Sequence, residues 1–198
     1  LLQFRPIRLL SHSMKIFERI LDRRIREIVR LSDNKCGSVS GCGTIDAIHA
    51  ARLLVEKHRE KQKPVHIAFL DLGKAFDRVP REVICLTSME FPISAGVHQG
   101  SALFPLLFVV VMDAITRDLQ KPVLWTLLHA DDVMLACEDK DDHERQVQVW
   151  CDRQAMFGLK LNVKKTEYLT THLNESGSIK INGTELARTS VLKYLDQQ

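Results

Sequence analysis

Apolar side chains in the first third of the chain recur at steps of three and four residues, the spacing of one helix face. This stripe predicts an amphipathic helix over residues 13–31, whose opposite face is basic. A second helix is predicted from Thr44 to about Lys61, with Pro64 closing it. The loop between the two helices contains the glycines Gly37, Gly41 and Gly43.

Shorter apolar runs in the middle of the chain predict β-strands. Residues 65–70 form a continuous apolar run, which favours a buried strand ending at Asp71. Residues 124–130 and 133–137 predict two further strands, joined by a two-residue turn at Asp131-Asp132. Acidic side chains therefore stand at the ends of apolar strands.

Helices are predicted between these strands. Residues 101–119 form a long apolar helix, which tolerates Pro105 because this residue lies in the first turn. A short helix is predicted near Pro80, and irregular structure over residues 92–99.

The last third of the chain predicts one more helix and a hairpin. The helix covers residues 141–157 and is closed by Gly158. Residues 179–186 predict the hairpin, because Asn182-Gly183 favours a type I′ turn. Helices followed by strands that are interleaved with helices indicate an α+β fold: an antiparallel sheet with helices packed on one face.

Composition adds limits rather than a function. A chain of 198 residues, 45% hydrophobic and 27% charged, is typical of one globular domain with its own core. The formal charge of +3 is too small to indicate a nucleic-acid partner by itself. The five scattered cysteines form no CxxC pair, so we expect neither a zinc site nor a disulfide framework, and a reducing compartment is the natural interpretation.

Targeting signals are absent from the sequence pattern. No signal peptide is recognisable, because Arg5 and Arg8 interrupt the apolar residues at the start of the chain. The longest apolar run, residues 106–112, is too short to cross a bilayer. We therefore expect an intracellular protein, nuclear or cytoplasmic, without a membrane partner.

Three acidic residues stand where acids are energetically awkward. Asp71 ends an apolar strand, and Asp131 and Asp132 lie at the tip of an apolar hairpin. Carboxylates that meet at one sheet edge repel each other unless a cation compensates them. Mg²⁺ prefers carboxylate and phosphate oxygens, so the three acids predict a magnesium site. Taken alone, Asp131-Asp132 would equally be an ordinary turn, because aspartate favours turns.

Four blocks of this sequence resemble motifs of non-LTR retrotransposon reverse transcriptases, most closely those of the RTE type. Residues 69–77 (FLDLGKAFD) resemble the first catalytic motif, and residues 96–105 (GVHQGSALFP) the second palm motif. Residues 129–132 (HADD) are similar to the Tyr-Ala-Asp-Asp box, and residues 158–166 to the motif that follows it. The blocks occur in the order of the family and extend over nearly the whole chain.

The resemblance implies RNA-directed DNA synthesis from an RNA template, a DNA primer and deoxynucleoside triphosphates. Asp71, Asp131 and Asp132 would bind two Mg²⁺ ions, and Lys165 would protonate the leaving pyrophosphate. The nucleotide-binding residues would be Phe76, Gln99 and Gly100. Outside the resemblance, Phe76 would be a core side chain and Lys165 a solvated lysine.

The resemblance also divides the chain into two parts. Residues 1–64 correspond to partial fingers and the helical entry to the palm, and residues 65–198 to a truncated palm without a thumb. Only 24 residues separate Asp71 from Gly96, which indicates an internal deletion near residues 84–87.

Substitutions within the motifs accompany this short spacing. His129 replaces the expected tyrosine, Gly73 a glutamate and Phe104 a serine. The glycine loop has Ser38, Ser40 and Cys42 where relatives carry an aromatic residue and arginines. We therefore expect a polymerase with impaired activity.

Two alternative functions remain open. The chain could be a catalytically inactive retrotransposon remnant or a nucleic-acid-binding module, which the short spacing favours. A different metal-dependent phosphotransferase or nuclease would not account for the ordered blocks. The sequence does not determine the oligomeric state.

Overall fold

A six-stranded sheet with helices on both faces forms the structure, a computed structural model that describes residues 11–39, 41–73, 75–78, 101, 103–172, 175 and 177–190. The helices are α1 (His12–Ile28), α2 (Thr44–Glu60), α3 (Ala75–Arg78), α4 (Phe104–Thr116), the 3₁₀ turn Arg117–Leu119, and α5 (Lys140–Met156). The strands are β1 (Lys35–Cys36), β2 (His66–Asp71), β3 (Thr126–His129), β4 (Asp132–Cys137), β5 (Glu167–Thr170), β6 (Lys180–Ile181), β7 (Thr184–Glu185) and β8 (Ala187–Thr189).

The sheet has the order β1-β3-β4-β2-β5-β8. Its four central strands, β3, β4, β2 and β5, pair with one another in antiparallel fashion, as the sequence predicts. The two short edge strands, β1 and β8, are parallel to β3 and β5. The α+β class is confirmed, and the complete sheet is mixed.

Apolar side chains fill a core on each face of the sheet. Ala68 and Leu70 of β2 pack in one core with Phe108 of α4 and Trp150 of α5. Ile67 faces the other side and belongs to a second core, which Ala51 of α2 helps to form. The expectation that helices cover only one face was wrong. The reason lies in β2 itself, because a continuous apolar strand must be covered on both sides.

The predicted helices form within a few residues of their expected bounds. In α5, the side chain of Asp139 caps the first turn by accepting a hydrogen bond from the Asp142 amide at 2.8 Å. Gly158 follows this helix with a φ of +75°, the left-handed conformation that favours glycine. Helix α1 also forms where predicted, but it differs from the other long helices in its packing. None of its side chains is buried against the described part of the chain.

The hairpin near the end of the described chain has the predicted turn. Asn182 and Gly183 have φ values of +49° and +77°, and a type I′ turn requires positive φ at both positions. Strands β6 and β7 pair on either side of them, separately from the main sheet.

The turn at the acidic hairpin lies one residue earlier than predicted. His129 pairs with Asp132, so Asp132 is the first residue of β4 and the turn consists of Ala130 and Asp131. Core packing fixes this register, because Val133 then lies opposite both Leu128 and Leu70. Ala130 has a φ of +52°, which is unfavourable for a residue with a side chain.

Several elements were not predicted from the sequence. Strands β1, β5 and β8 are too short to give a clear alternating pattern, and α3 has only four residues. The helix expected near Pro80 and the irregular segment over residues 92–99 lie outside the described residues.

One disulfide bond also departs from expectation. Cys36 and Cys42 are bonded across the glycine loop, with their Cα atoms 4.8 Å apart. The loop can close because Gly37 and Gly41 have left-handed backbones and the Gly37 amide donates to the Cys42 carbonyl at 2.9 Å. Cys137 and Cys151 are free and buried. Among the described helices, none is long and apolar enough to span a membrane.

Candidate active site

Two of the three predicted acids meet directly in the sheet. Asp71, the last residue of β2, is the register partner of Asp132, the first residue of β4. Directly opposed residues of an antiparallel pair point to the same face, so these carboxylates share one side of the sheet. Asp131 precedes Asp132 in the turn. The predicted convergence of strand ends is therefore seen for Asp71 and Asp132.

The segment after α5 holds the end of β2 in place. The Asn162 amide donates to the Asp71 carbonyl at 2.8 Å, and the Asp71 amide donates to Thr166 Oγ1 at 3.3 Å. These bonds bring Lys165 to the same edge, with its Nζ 4.0 Å from Asp71 Oδ2. The lysine is mostly exposed and its partner is half-buried, so this ion pair contributes little to stability.

The neighbouring acids affect the ionisation of Asp132. Burial, together with the charges of Asp131 and Asp71, raises the pKa of Asp132 to about 7, whereas Lys165 opposes this shift. A carboxyl group that titrates near neutral pH is poised to release its proton when a cation arrives. At this sheet edge, the positive charge of Lys165 only partly offsets the negative charges of the acids.

Replacing Asp71 by asparagine is expected to lower the pKa of Asp132 from its value of about 7, because one of the neighbouring negative charges is removed. Replacing Lys165 by methionine should raise it, because the compensating cation is lost. Carboxyl ¹³C NMR titration measures both effects. Asp152→Asn, a charge change on α5, serves as the control. A wild-type Asp132 that titrates at its ordinary value of 3.8 would contradict the proximity.

His129 lies between the acidic turn and the glycine loop. Its Nε2 is 3.1 Å from Thr44 Oγ1, at the first residue of α2. Burial lowers the pKa of this imidazole, although its own backbone and the Asp131 charge oppose the shift. The loop, His129 and Ala130 together line a cavity of about 610 Å³.

The structure brings together Asp71, Asp131, Asp132 and Lys165. Phe76 lies in α3, but its side chain is outside the described residues, as are Gln99 and Gly100. Sequence reasoning gave no separate role to Thr166 or Asn162, although both lie in the motif that contains Lys165. It gave none to Thr44, because a contact between residues 85 positions apart leaves no local signal.

Comparison with known proteins identifies the family. Residues 2–195 match the family described as Reverse transcriptase (RNA-dependent DNA polymerase). The chain belongs to the reverse transcriptase family. Its relatives show that this reverse transcriptase domain is of the non-LTR retrotransposon type.

Two relatives illustrate the similarity. The Pol polyprotein of the type-1 retrotransposable element R2 from Nasonia vitripennis is 28% identical, over 70% of this chain and 17% of its own length. The probable RNA-directed DNA polymerase from transposon BS of Drosophila melanogaster is 26% identical, over 97% of this chain and 27% of its own. The chain thus spans about a quarter or less of these relatives.

Solved structures agree on the fold. Telomerase from Candida albicans superposes with a TM-score of 0.56 at 12% identity, over 87% of this chain and 36% of that protein. Apo telomerase from Candida tropicalis gives 0.55 at 10% identity, over 85% and 38%. At these identities, the likeness concerns the arrangement of the backbone.

Reverse transcriptases typically use divalent metal ions. Within the described residues, no three His, Cys, Asp or Glu side chains are grouped closely enough to hold one ion. The Asp71–Asp132 pair nevertheless supplies two hard carboxylates, and Mg²⁺ is commonly held by one or two carboxylates together with substrate phosphates. The donor set of this reverse transcriptase domain therefore fits an ion that shares its coordination with a bound nucleotide.

Proposed function

We propose that this domain is built for RNA-directed DNA synthesis, with its reaction centre at the edge where β2 and β4 meet. The observation that carries the proposal is the direct pairing of Asp71 with Asp132, next to Asp131 and within reach of Lys165. Its substrates would be an RNA template, a DNA primer and deoxynucleoside triphosphates. Family membership supports this choice of reaction.

Each residue of the site has a proposed task. Asp71, Asp131 and Asp132 would hold two Mg²⁺ ions together with the phosphates of a bound nucleotide, and these ions would supply the positive charge that stabilises the transferred phosphoryl group. Release of the Asp132 proton near neutral pH readies its carboxylate for binding. Lys165 holds a proton at Nζ that can pass to the leaving pyrophosphate. Phe76, Gln99 and Gly100 are the proposed contacts to the nucleotide.

The same proposal assigns residues 1–64 to partial fingers and residues 65–198 to a truncated palm of RTE type, acting inside the cell. We also propose that the palm lacks an internal segment. The alignment with the BS polymerase extends over 248 positions and covers 97% of a chain of only 198 residues. An alignment longer than the chain contains positions at which the BS polymerase has residues and this chain has none. These positions lie inside the aligned range, which supports an internal deletion.

Catalysis is proposed to be impaired. Phosphoryl transfer depends almost wholly on positioning and electrostatic stabilisation, so a shortened palm disturbs its main requirement. The described residues that line the cavity at the glycine loop and His129, Ser38 and Cys42 among them, include no lysine or arginine. A triphosphate that entered this cavity would meet neither of these cations among its described lining residues. These features favour the alternative of a catalytically inactive remnant.

The test separates metal binding from turnover. We expect the 198-residue chain to bind Mn²⁺, measured by electron paramagnetic resonance, at least about tenfold more tightly than Asp132→Asn, since a charged ligand is lost. Asp152→Asn removes the same charge from α5 and should bind like the wild type. On a primed RNA template with Mg²⁺, extension should remain at the level of Asp131→Asn.

Two outcomes would contradict parts of the proposal. Equal Mn²⁺ binding by the wild type and Asp132→Asn would remove the metal site. Robust primer extension by the wild type, abolished in Asp131→Asn, would show that the domain is active and that the proposal of impaired catalysis is wrong. Extension that persists in Asp131→Asn would identify a contaminating polymerase.

A further inference from the structure

The imidazole of His129 connects the glycine loop to the acidic turn. On one side, His129 is the register partner of Asp132 in the pair that closes the turn. On the other, it is the register partner of Cys36, where β1 runs parallel to β3. The backbone thus places His129 between the disulfide-closed loop and the acids.

Gly37 packs directly against this ring. A Cβ atom built on Gly37 would lie 2.7 Å from His129 Nε2 and 2.8 Å from Cδ2, closer than atoms can approach without movement. The backbone of Gly37 is restrained within the loop, because its amide donates a hydrogen bond to the Cys42 carbonyl at 2.9 Å. The imidazole therefore rests on a backbone that cannot easily withdraw.

Thr44 holds the ring from a second direction. Its Oγ1 lies 3.1 Å from His129 Nε2, and Thr44 begins α2, which packs in the core beneath the sheet. The ring is thereby fixed by two elements that are distant in sequence. The turn beyond it needs such support, because Ala130 has a left-handed φ of +52°.

We propose that His129 is a positioning residue: Gly37 and Thr44 clamp its imidazole, and the clamped ring fixes the turn that contains Asp131 and leads into Asp132. The functional consequence rests on the proposed metal site, whereas the mechanical part can be measured without metal. A loop next to the β1 edge of the sheet would then control the geometry of the acids.

A matched pair of glycine variants tests the clamp. Gly37→Ala and Gly41→Ala both put alanine at a left-handed φ in the same loop, so both carry similar backbone strain. Only at Gly37 does the new methyl group meet His129, because no atom of the described residues lies within 4 Å of the added carbon at Gly41. Gly37→Ala should therefore shift the NMR signals of the Ala130 and Asp131 amides and speed hydrogen exchange of the Asp132 amide, where the strand pairing with His129 closes the turn, by about fivefold or more. Gly41→Ala should leave both unchanged.

Threonine variants give a second and milder test, which holds if Gly37→Ala fails to fold. Thr44→Val removes the hydroxyl without changing the shape and should speed exchange at the turn by about fivefold at most, the value of one hydrogen bond. Thr44→Ser keeps the hydroxyl and should restore the wild-type rate. Thr126→Val removes the hydroxyl that the Lys121 amide donates to at the other end of β3, and should not affect the turn.

The outcomes separate this inference from the proposed function. Turn amides that respond alike in Gly37→Ala and Gly41→Ala, or in Thr44→Val and Thr44→Ser, would overturn the clamp. Mn²⁺ binding is then measured on the same proteins. Altered turn amides with weaker Mn²⁺ binding in Gly37→Ala support both ideas. If the turn amides are altered in Gly37→Ala but the wild type binds Mn²⁺ no better than Asp132→Asn does, the clamp is supported and the metal site is refuted.

Discussion

Replacing Asp113 by alanine is expected to lower the free energy of unfolding by about 3–5 kcal/mol, a large part of the stability of an ordinary domain. The Asp113 carboxylate is buried on α4 and accepts hydrogen bonds from Ser32 Oγ at 2.6 Å and Arg117 Nε at 3.1 Å. It also lies 3.9 Å from the Nζ of Lys35, which is buried and has no hydrogen-bond partner among the described residues. Without Asp113, this ammonium group loses its compensating charge.

Urea denaturation measures the loss, and Lys35→Met provides the control. In the wild type, burial lowers the pKa of Lys35 to about 7, while Asp113 opposes the shift. Adding Lys35→Met to Asp113→Ala should recover most of the lost stability, because an uncharged side chain needs no partner. A loss below about 1 kcal/mol in the single variant would mean that water or rearrangement solvates the lysine.

Acid is expected to destabilise the domain between pH 6.5 and about 3, through His143. This residue of α5 is fully buried, and neither ring nitrogen has a hydrogen-bond partner among the described residues. Burial, helped by the charges of His66 and Lys121, lowers its pKa from 6.5 to about 3. The unfolded chain therefore binds more protons in this range, so stability is complete above pH 6.5 and falls as the pH falls.

The expected slope is about 1.4 kcal/mol per pH unit, or up to about 5 kcal/mol over the whole range. Burial also lowers the pKa of neighbouring His66, which acts in the same direction. Denaturant titrations at several pH values measure the slope, and His143→Leu should reduce it. His49→Gln, on the exposed face of α2, should keep the wild-type slope. An unchanged slope in His143→Leu would assign the acid sensitivity to other groups.

Local sequence patterns predicted those elements that are stabilised by interactions between residues close in sequence. Helix α5 has an aspartate cap and a closing glycine, and the hairpin has an Asn-Gly turn, so each could be located from a few residues. The turn at Ala130-Asp131 was misplaced by one residue because its register is set by Val133 packing across the sheet. Strand β5 exists only because β2 offers it an edge. No pattern within four residues encodes such pairing.

The residues of the candidate site likewise fall into those that the sequence predicted and those that it did not. Asp71 and Asp132 were predictable because an acid that ends an apolar strand stands out in the sequence. Lys165 came from a family motif, and the bonds of Asn162 and Thr166 to Asp71 explain how that motif reaches the acids. The contacts of His129 were not predictable from the sequence. They depend on the backbone of Gly37, which has no side chain that would indicate a contact, and on β1, a parallel strand of only two residues.

Helix α1 has a practical consequence for handling the chain. Its Ile16, Phe17 and Ile20 are each at least half exposed, and its opposite face carries several arginines. A contiguous nonpolar surface of this kind promotes self-association at high protein concentration. Polar substitutions at Ile16 and Ile20 lie far from the acids in sequence and remove no contact that is buried among the described residues, so they offer a route to samples that stay monodisperse during spectroscopy.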